Sequence, residues 1–314
     1  MGRIIVRQAM LADAASITAL NVSNIAAWTR RTAYGETVPT AYEELSLFER
    51  WLNGGPWASV EMCAVHLANL LRGGDGIPLV AEIEGQVGAE AEVFIGREPE
   101  PFGHHINLCK LAVHPEADGV GLGSALVTYI NQIAEAIRCK RVTVADADTD
   151  AALFEHHRFY RAHVGQRLVI KTQEGRVFYK AGELANFDPT QIDNWHMPLG
   201  RYQNSRQEWD RMLPGFWNSV PEIVEPETAR LHITVTGQEA YAMMQQDRYN
   251  PAQVHAFVWT KRPINNLLMV ALRDWAARHN YESIVTFAWD YVIPMLEIDF
   301  ETDGYTQHLY ERAL

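Results

Sequence analysis

A chain is most constrained where its backbone must leave the ordinary regions. Here that place is LAVHPEADGVGLGSALVTYI, from Leu111 to Ile130. An apolar strand pattern passes through Gly119, Gly121 and Gly123 into an apolar-periodic helix. Glycine carries no Cβ, so its backbone can approach a ligand closely and take unusual dihedrals. A helix starting near Gly121 presents unpaired N–H groups at its positive end. Together these features make an anion site, and phosphate is the usual anion. No lysine follows the glycines, so this is not a Walker loop. The dinucleotide fingerprint GxGxxG also fails. Its third glycine falls on Ser124 counted from Gly119, and on Leu126 counted from Gly121. Without a ligand, the same glycines would serve a tight turn with close helix–strand packing.

The flanks favour the binding reading. NLCKLAV, Asn107 to Val113, is strand-like, and His114-Pro115 ends it. Beyond the glycines, Leu122, Ala125, Leu126, Tyr129, Ile130, Ile133 and Ile137 fall on one helical face. This stretch resembles the acyl-CoA-binding motif of the GNAT superfamily of N-acetyltransferases: LxVxP, a short spacer, then [RQ]xxGxG or [RQ]xxGxA. Gly121 and Gly123 match the two glycines, and Asp118 stands where the family has Arg or Gln. A carboxylate there repels a pyrophosphate. A second stretch, AALFEHHRF, is similar to the family's LYExxGF. Leu153, Phe154, Glu155 and Phe159 match in register, with Phe154 in place of Tyr and Arg158 in place of Gly. RVTVA, Arg141 to Ala145, supplies the strand between the motifs, and VGQRLVIKTQEGRVFYKAG after them reads as a hairpin around Gln173-Glu174-Gly175. The resemblance covers about residues 3–182. It implies an α/β (α+β) GNAT fold, a mixed and mostly antiparallel sheet flanked by helices.

The chain of 314 residues has room for two domains. Nearly half of it is apolar, so a packed core is expected, yet no apolar run is long enough to span a bilayer. The N-terminus reads as a strand passing into a capped helix and has no signal-peptide pattern; Val6 breaks a myristoylation motif. Cys63, Cys109 and Cys139 are scattered, with neither disulfide nor zinc spacing. A reduced, cytoplasmic setting and no metal follow as expectations. Cys109 reads as a small buried residue, with a reactive thiol as the alternative. The net charge of −12, from 39 acidic and 27 basic residues, disfavours nucleic-acid binding. Such a field would steer a cationic amine, although solubility alone also explains it.

The order of elements then recurs. Residues 183–228 read as a structured connector with a helix between Gln203 and Phe216. LHITVTG, AYAMMQQD and AQVHAFVWT read as strands, Asn265 to His279 as a helix, SIVTFAW as a strand, Val292 to Glu297 as a short helix, and DFETDGYTQHLYERA as a closing hairpin. This repeats the back half of the first stretch. The connection WTKRPIN has no glycine, and Pro263 removes an N–H that a phosphate would use. The organisation read here is a GNAT acetyl-CoA-binding domain at 1–182, a connector at 183–228 and a degenerate, partial GNAT-like lobe at 229–314. An unrelated α+β domain is the alternative for the last part.

The resemblance implies transfer of an acetyl group from acetyl-CoA to an amine. Leu111, Ala112 and Val113 would pair with the pantetheine arm, and a backbone N–H at or near Val113 would stabilise the thioester oxyanion. Asp118, Gly119, Val120, Gly121, Leu122, Gly123 and Ser124 would line the pyrophosphate. The base must take a proton from the amine. Glu90 and Glu92 in GAEAEVFI share one strand face by period two, as base candidates or as a solvated face. Glu82 and Glu84 carry the same ambiguity. Phe154 cannot serve as the acid that reprotonates the CoA thiolate, so Tyr160 is the substitute candidate, against a core or hairpin role. Asp146 and Asp148 are substrate-contact candidates, and His104 and His105 read as loop residues. Trp28, Trp51 and Trp57 would line an acceptor site or fill a core.

Three functions are therefore open: an N-acetyltransferase for a small amine by direct transfer, a protein or peptide N-acetyltransferase, and a non-catalytic acyl-CoA-binding or regulatory protein. The first needs no nucleic acid or membrane, and fits a monomer or homodimer.

Overall fold

The computed structural model describes residues 2–32, 36–72, 74–145, 151–217 and 219–314. Asp146 and Asp148 lie outside the described residues. The chain groups into two compact units. The first holds residues 1–94, 108–137 and 215–225; the second holds 95–107, 138–214 and 226–314. Among the described residues no helix is long and apolar enough to cross a membrane.

The first unit begins with β1 (Ile4–Gln8), α1 (Ala14–Ser23) and a small ribbon of β2 (Thr29–Arg31) and β3 (Thr37–Pro39). α2 (Leu47–Gly54) starts at Ser46, which forms a capping box with Glu49. α3 (Val60–Leu71) starts at Ser59, whose side chain accepts from the Met62 N–H. Then come β4 (Gly76–Ile83), β5 (Gln86–Arg97), β6 (His104–Val113) and α4 (Leu122–Ala136). Both β5 and β6 continue into residues of the second unit. The strands run in the order β1-β4-β5-β6.

A bulge sets the two faces of β5. Ala89 pairs with Ala81 but Val87 pairs with Glu82, which leaves Gly88 as the extra residue. A Cβ on Gly88 would lie 2.7 Å from Leu122 Cδ1, so a side chain there would displace Leu122 at the start of α4. Past the bulge, Glu90 and Glu92 turn to the other face, where α1 and α3 bring Asn21 and His66 against them. Ile17, Cys63, Leu67 and Val80 form the core beneath these helices.

The second unit adds β7 (Arg141–Ala145), α5 (Ala151–His156), β8 (Tyr160–Lys171), β9 (Tyr179–Glu183), β10 (His196–Leu199), α6 (Ser205–Arg211), β11 (Thr228–Val235), β12 (Gln238–Gln246), β13 (Gln253–Thr260), α7 (Asn266–Arg278), β14 (Ser283–Trp289) and β15 (Glu301–Ala313). Its strands run β7-β15-β8-β14-β13-β12-β11-β9.

Both expected hairpins are absent, for one reason. β8 does not fold back on β9. It pairs with β14 and β15, while β9 pairs with β11. DFETDGYTQHLYERA is no hairpin either. It forms the single strand β15, which is irregular between Thr302 and Thr306 and pairs with β7 on its other edge. Each strand that follows a helix–strand pair therefore leaves its own pair and completes the other one. The two also pair with each other, which ties the exchange together.

β13 and β14 run parallel, but pair only over Gln253–His255 and Ser283–Val285. Beyond that point β10 bridges the gap. It pairs with β13 at Val258 and Thr260, and the Gly200 N–H donates to the Phe287 carbonyl at 2.8 Å. α6 is shorter than the helix expected between Gln203 and Phe216. His104 and His105 are not loop residues; they open β6. His105 is fully buried and spends both ring nitrogens, Nδ1 on the Gly103 carbonyl at 3.1 Å and Nε2 on the Asn204 amide at 3.0 Å. Next to it Glu98 accepts two bonds from buried Arg201, from Nε at 3.1 Å and from Nη2 at 3.0 Å.

Candidate active site

The glycine turn has the shape of a cradle. Gly119 has φ of 73° and Gly121 has φ of 95°, both in the left-handed region that favours glycine. A Cβ at either position would meet nothing within 4 Å, so the turn opens outwards. Gly121 is the N-cap of α4 and offers no side chain to its first-turn N–H groups. Those donors and the helix dipole suit an anion.

Part of the loop is already engaged. The Gly119 N–H donates to Asp118 Oδ1 at 2.9 Å, and the Val120 N–H donates to the Ala117 carbonyl at 3.3 Å. The donors left to a phosphate group are those of Gly121, Leu122 and Gly123. Upstream, α1 reaches the end of β6: Asn24 Nδ2 donates to the Val113 carbonyl at 3.0 Å. This fixes the end of the strand Leu111-Ala112-Val113 just before the turn.

The other face of β5 carries a buried polar cluster. Glu90 and Glu92 are 1% and 2% exposed, so they are not a solvated face. Glu90 accepts from Asn21 Nδ2 at 2.6 Å. Glu92 accepts from Trp57 Nε1 at 2.8 Å, and His66 Nε2 lies 3.0 and 2.9 Å from its two oxygens. Lys110 Nζ sits 4.4 Å from the centre of the Trp57 ring. The Cys109 thiol donates to the Glu92 carbonyl at 3.1 Å, so it is held within the strand pair.

These surroundings separate the two carboxyl groups. Burial, reinforced by the charge of Glu92, pushes Glu90 up to about 8. Burial also opposes a charge on Glu92, but His66 and Trp57 outweigh it and hold Glu92 below the ordinary carboxylate range. Burial likewise opposes a charge on His66, and Glu92 overcomes it, raising the imidazole above its ordinary value. The two opposite shifts favour a protonated Glu90 beside an ionised Glu92. Divided environments of this kind mark acid–base sites.

The remaining candidates lie elsewhere. Glu82 is paired with Arg7 at 3.0 Å. Tyr160 stands on β8 in the second unit; the residue is 52% exposed and its hydroxyl donates to Glu311. Phe154 is buried edge-on against Phe159. In the sequence Trp57 is legible only as one of several aromatic residues, and no local motif marks His66. The available signal for His66 is a polar residue in the mostly apolar run VEMCAVHLANLL, one step before core residue Leu67. Among the described residues no group of three or more His, Cys, Asp and Glu could hold a metal ion.

Residues 36–165 match the acetyltransferase (GNAT) family. This part of the chain is a GNAT domain. A domain of this family supports an acyltransferase, and acetyl-CoA is the cosubstrate of the family in general. The chain is similar in fold to a GCN5-related N-acetyltransferase from Anabaena variabilis, with 11% identity and a TM-score of 0.61 over 99% of this chain and 73% of that one. It is also similar to a GCN5-related N-acetyltransferase from Kribbella flavida, with 10% identity and a TM-score of 0.58 over 100% of this chain and 71% of that one. At these identities the likeness is one of fold. No protein of curated function matches the chain significantly in sequence.

Proposed function

We propose that this GNAT protein transfers the acetyl group of acetyl-CoA directly to the amine of a small molecule. The observation that carries the cofactor half is the open, positive-φ cradle at Gly119 and Gly121 on the N-terminus of α4. In this reading Leu111, Ala112 and Val113 hold the pantetheine arm, and Gly121 to Ser124 hold the pyrophosphate. The acceptor half rests on the aromatic and acidic cluster of Trp57, Glu90, Glu92 and His66, which suits an amine on an apolar body. The strands β11 to β14 read as a second GNAT-like lobe without cofactor binding. β10, lying across the gap between β13 and β14, supports that reading.

Calorimetry with acetyl-CoA, followed by an amine screen for CoA release, tests the proposal. Micromolar binding with turnover of a small primary amine is the expected result. No binding at millimolar acetyl-CoA would overturn it.

A further inference from the structure

The side chain of His66 is 12% exposed, against 2% for Glu92 behind it. Its Nε2 is spent on Glu92. Its Nδ1 is buried and has no hydrogen-bond partner among the described residues. The contrast is within the same molecule: His105, a structural histidine, bonds through both nitrogens. A buried polar atom without a partner is costly, so it points to a task outside the resting structure.

A carboxylate on one imidazole nitrogen sets the ring's orientation and tautomer. With the proton on Nε2 towards Glu92, the lone pair is on Nδ1. Trp57 helps from the far side. Its Nε1–H holds Glu92 Oε1, and its ring meets His66 edge-on at 5.4 Å between centroids.

We infer that His66 Nδ1 takes the proton from the acceptor amine, and that Glu92 positions His66 rather than meeting the amine itself. This rests on the transfer reading proposed above. The neutral amine nitrogen forms a C–N bond at the thioester carbonyl. An N–H proton of that nitrogen passes to Nδ1. The C–S bond breaks with its electron pair on sulfur, and the proton on His66 returns to the CoA thiolate directly or through solvent. Amine and acetyl-CoA thus become amide and CoA with nothing left over.

The base form of His66 is the neutral ring. The charged groups that act on it are Glu92 and Glu90 on β5; Lys110 on β6 lies over Trp57, and Cys63 is one turn back on α3. Turnover should therefore rise with pH through a midpoint above 6.5, the ordinary histidine value. Neutralising Glu92 removes the main charge that raises this midpoint.

The test uses the full chain, acetyl-CoA and a panel of tyramine, spermidine and ethylamine. His66→Gln should bind acetyl-CoA as the parent does, lose roughly 100-fold or more in kcat with KM little changed, and lose the pH limb. Exogenous imidazole should restore part of the rate of His66→Gly. Glu92→Gln should keep the limb but move it to lower pH. Nitrogen-15 NMR of the imidazoles reads the same inference without an acceptor: neutral His66 should carry its proton on Nε2. A ring protonated on Nδ1, or a His66→Gln variant as fast as the parent, would overturn the assignment while leaving the transfer reading intact. Loss of acetyl-CoA binding by the parent itself would sink the transfer reading instead.

Discussion

Glu90 and Glu92 stand two residues apart on one buried face of β5, and their surroundings push their carboxyl groups in opposite directions. Asn21 alone donates to Glu90, whereas Glu92 has Trp57 and His66. The bulge at Gly88 places both on this face while freeing the opposite face for α4.

The first consequence concerns pH and stability. Burial raises Glu90 from an ordinary 4.5 to about 8 in the folded chain. Folded protein then holds a proton that unfolded protein has lost. Its stabilising contribution is full below about 4.5 and disappears as pH rises through about 8. Glu90→Gln mimics the protonated form. Urea denaturation between pH 5 and 9 should show a flatter pH dependence for this variant, by about 1–3 kcal/mol across the range. An unchanged slope would show that Glu90 is ionised in the fold.

The glycine cradle separates folding from binding. At Gly121 an added Cβ meets no protein atom, so the cost of Gly121→Ala is the left-handed backbone alone, about 1–2 kcal/mol. Thermal unfolding should register that modest loss. Calorimetry should register a drop in acetyl-CoA affinity of roughly tenfold or more, because the methyl group would enter the space proposed for the pyrophosphate. Equal affinity in the two proteins would remove the cradle from the binding site.

Asp118 opposes its own loop. Its carboxylate holds the Gly119 N–H and adds a negative charge where a pyrophosphate would lie. Asp118→Asn keeps an oxygen acceptor for that N–H and removes the charge. Acetyl-CoA should bind this variant about 3- to 10-fold more tightly, with the gain shrinking at high salt. Weaker binding would mean that the charge serves another ligand.

In the second unit, Glu98 and Arg201 are a fully buried pair. Burial opposes the charge on Glu98, and Arg201 with His105 overcomes it. Arg201→Met leaves that carboxylate alone in the interior and should cost about 3–5 kcal/mol in denaturant unfolding. Adding Glu98→Met should recover most of the loss. A double variant no better than the single one would show that packing against Phe102, not charge, sets the cost.

The legible parts of this molecule were local. The turn at Gly119–Gly123 and the start of α4 could be read because dihedral demands and helix periodicity are written within a few residues. The shared face of Glu90 and Glu92 followed from period two, but its burial did not, since alternation cannot say what covers a face. His66 and Trp57 meet Glu92 across 26 and 35 residues of chain, and no local pattern pairs them. The hairpins failed for the same reason. Two strand-like runs around Gln173-Glu174-Gly175 look like partners until β14, far along the chain, supplies a better edge to β8.

The exchange of β8 and β15 also bears on how such a chain is inherited. β7 is completed by the strand that follows β14, and β14 by the strand that follows β7. A deletion or duplication that carried only one set would expose a raw sheet edge, and exposed edges recruit foreign strands. Each set therefore depends on the other for a covered sheet edge. A second set that no longer needed a cofactor loop would be kept for the strand it donates.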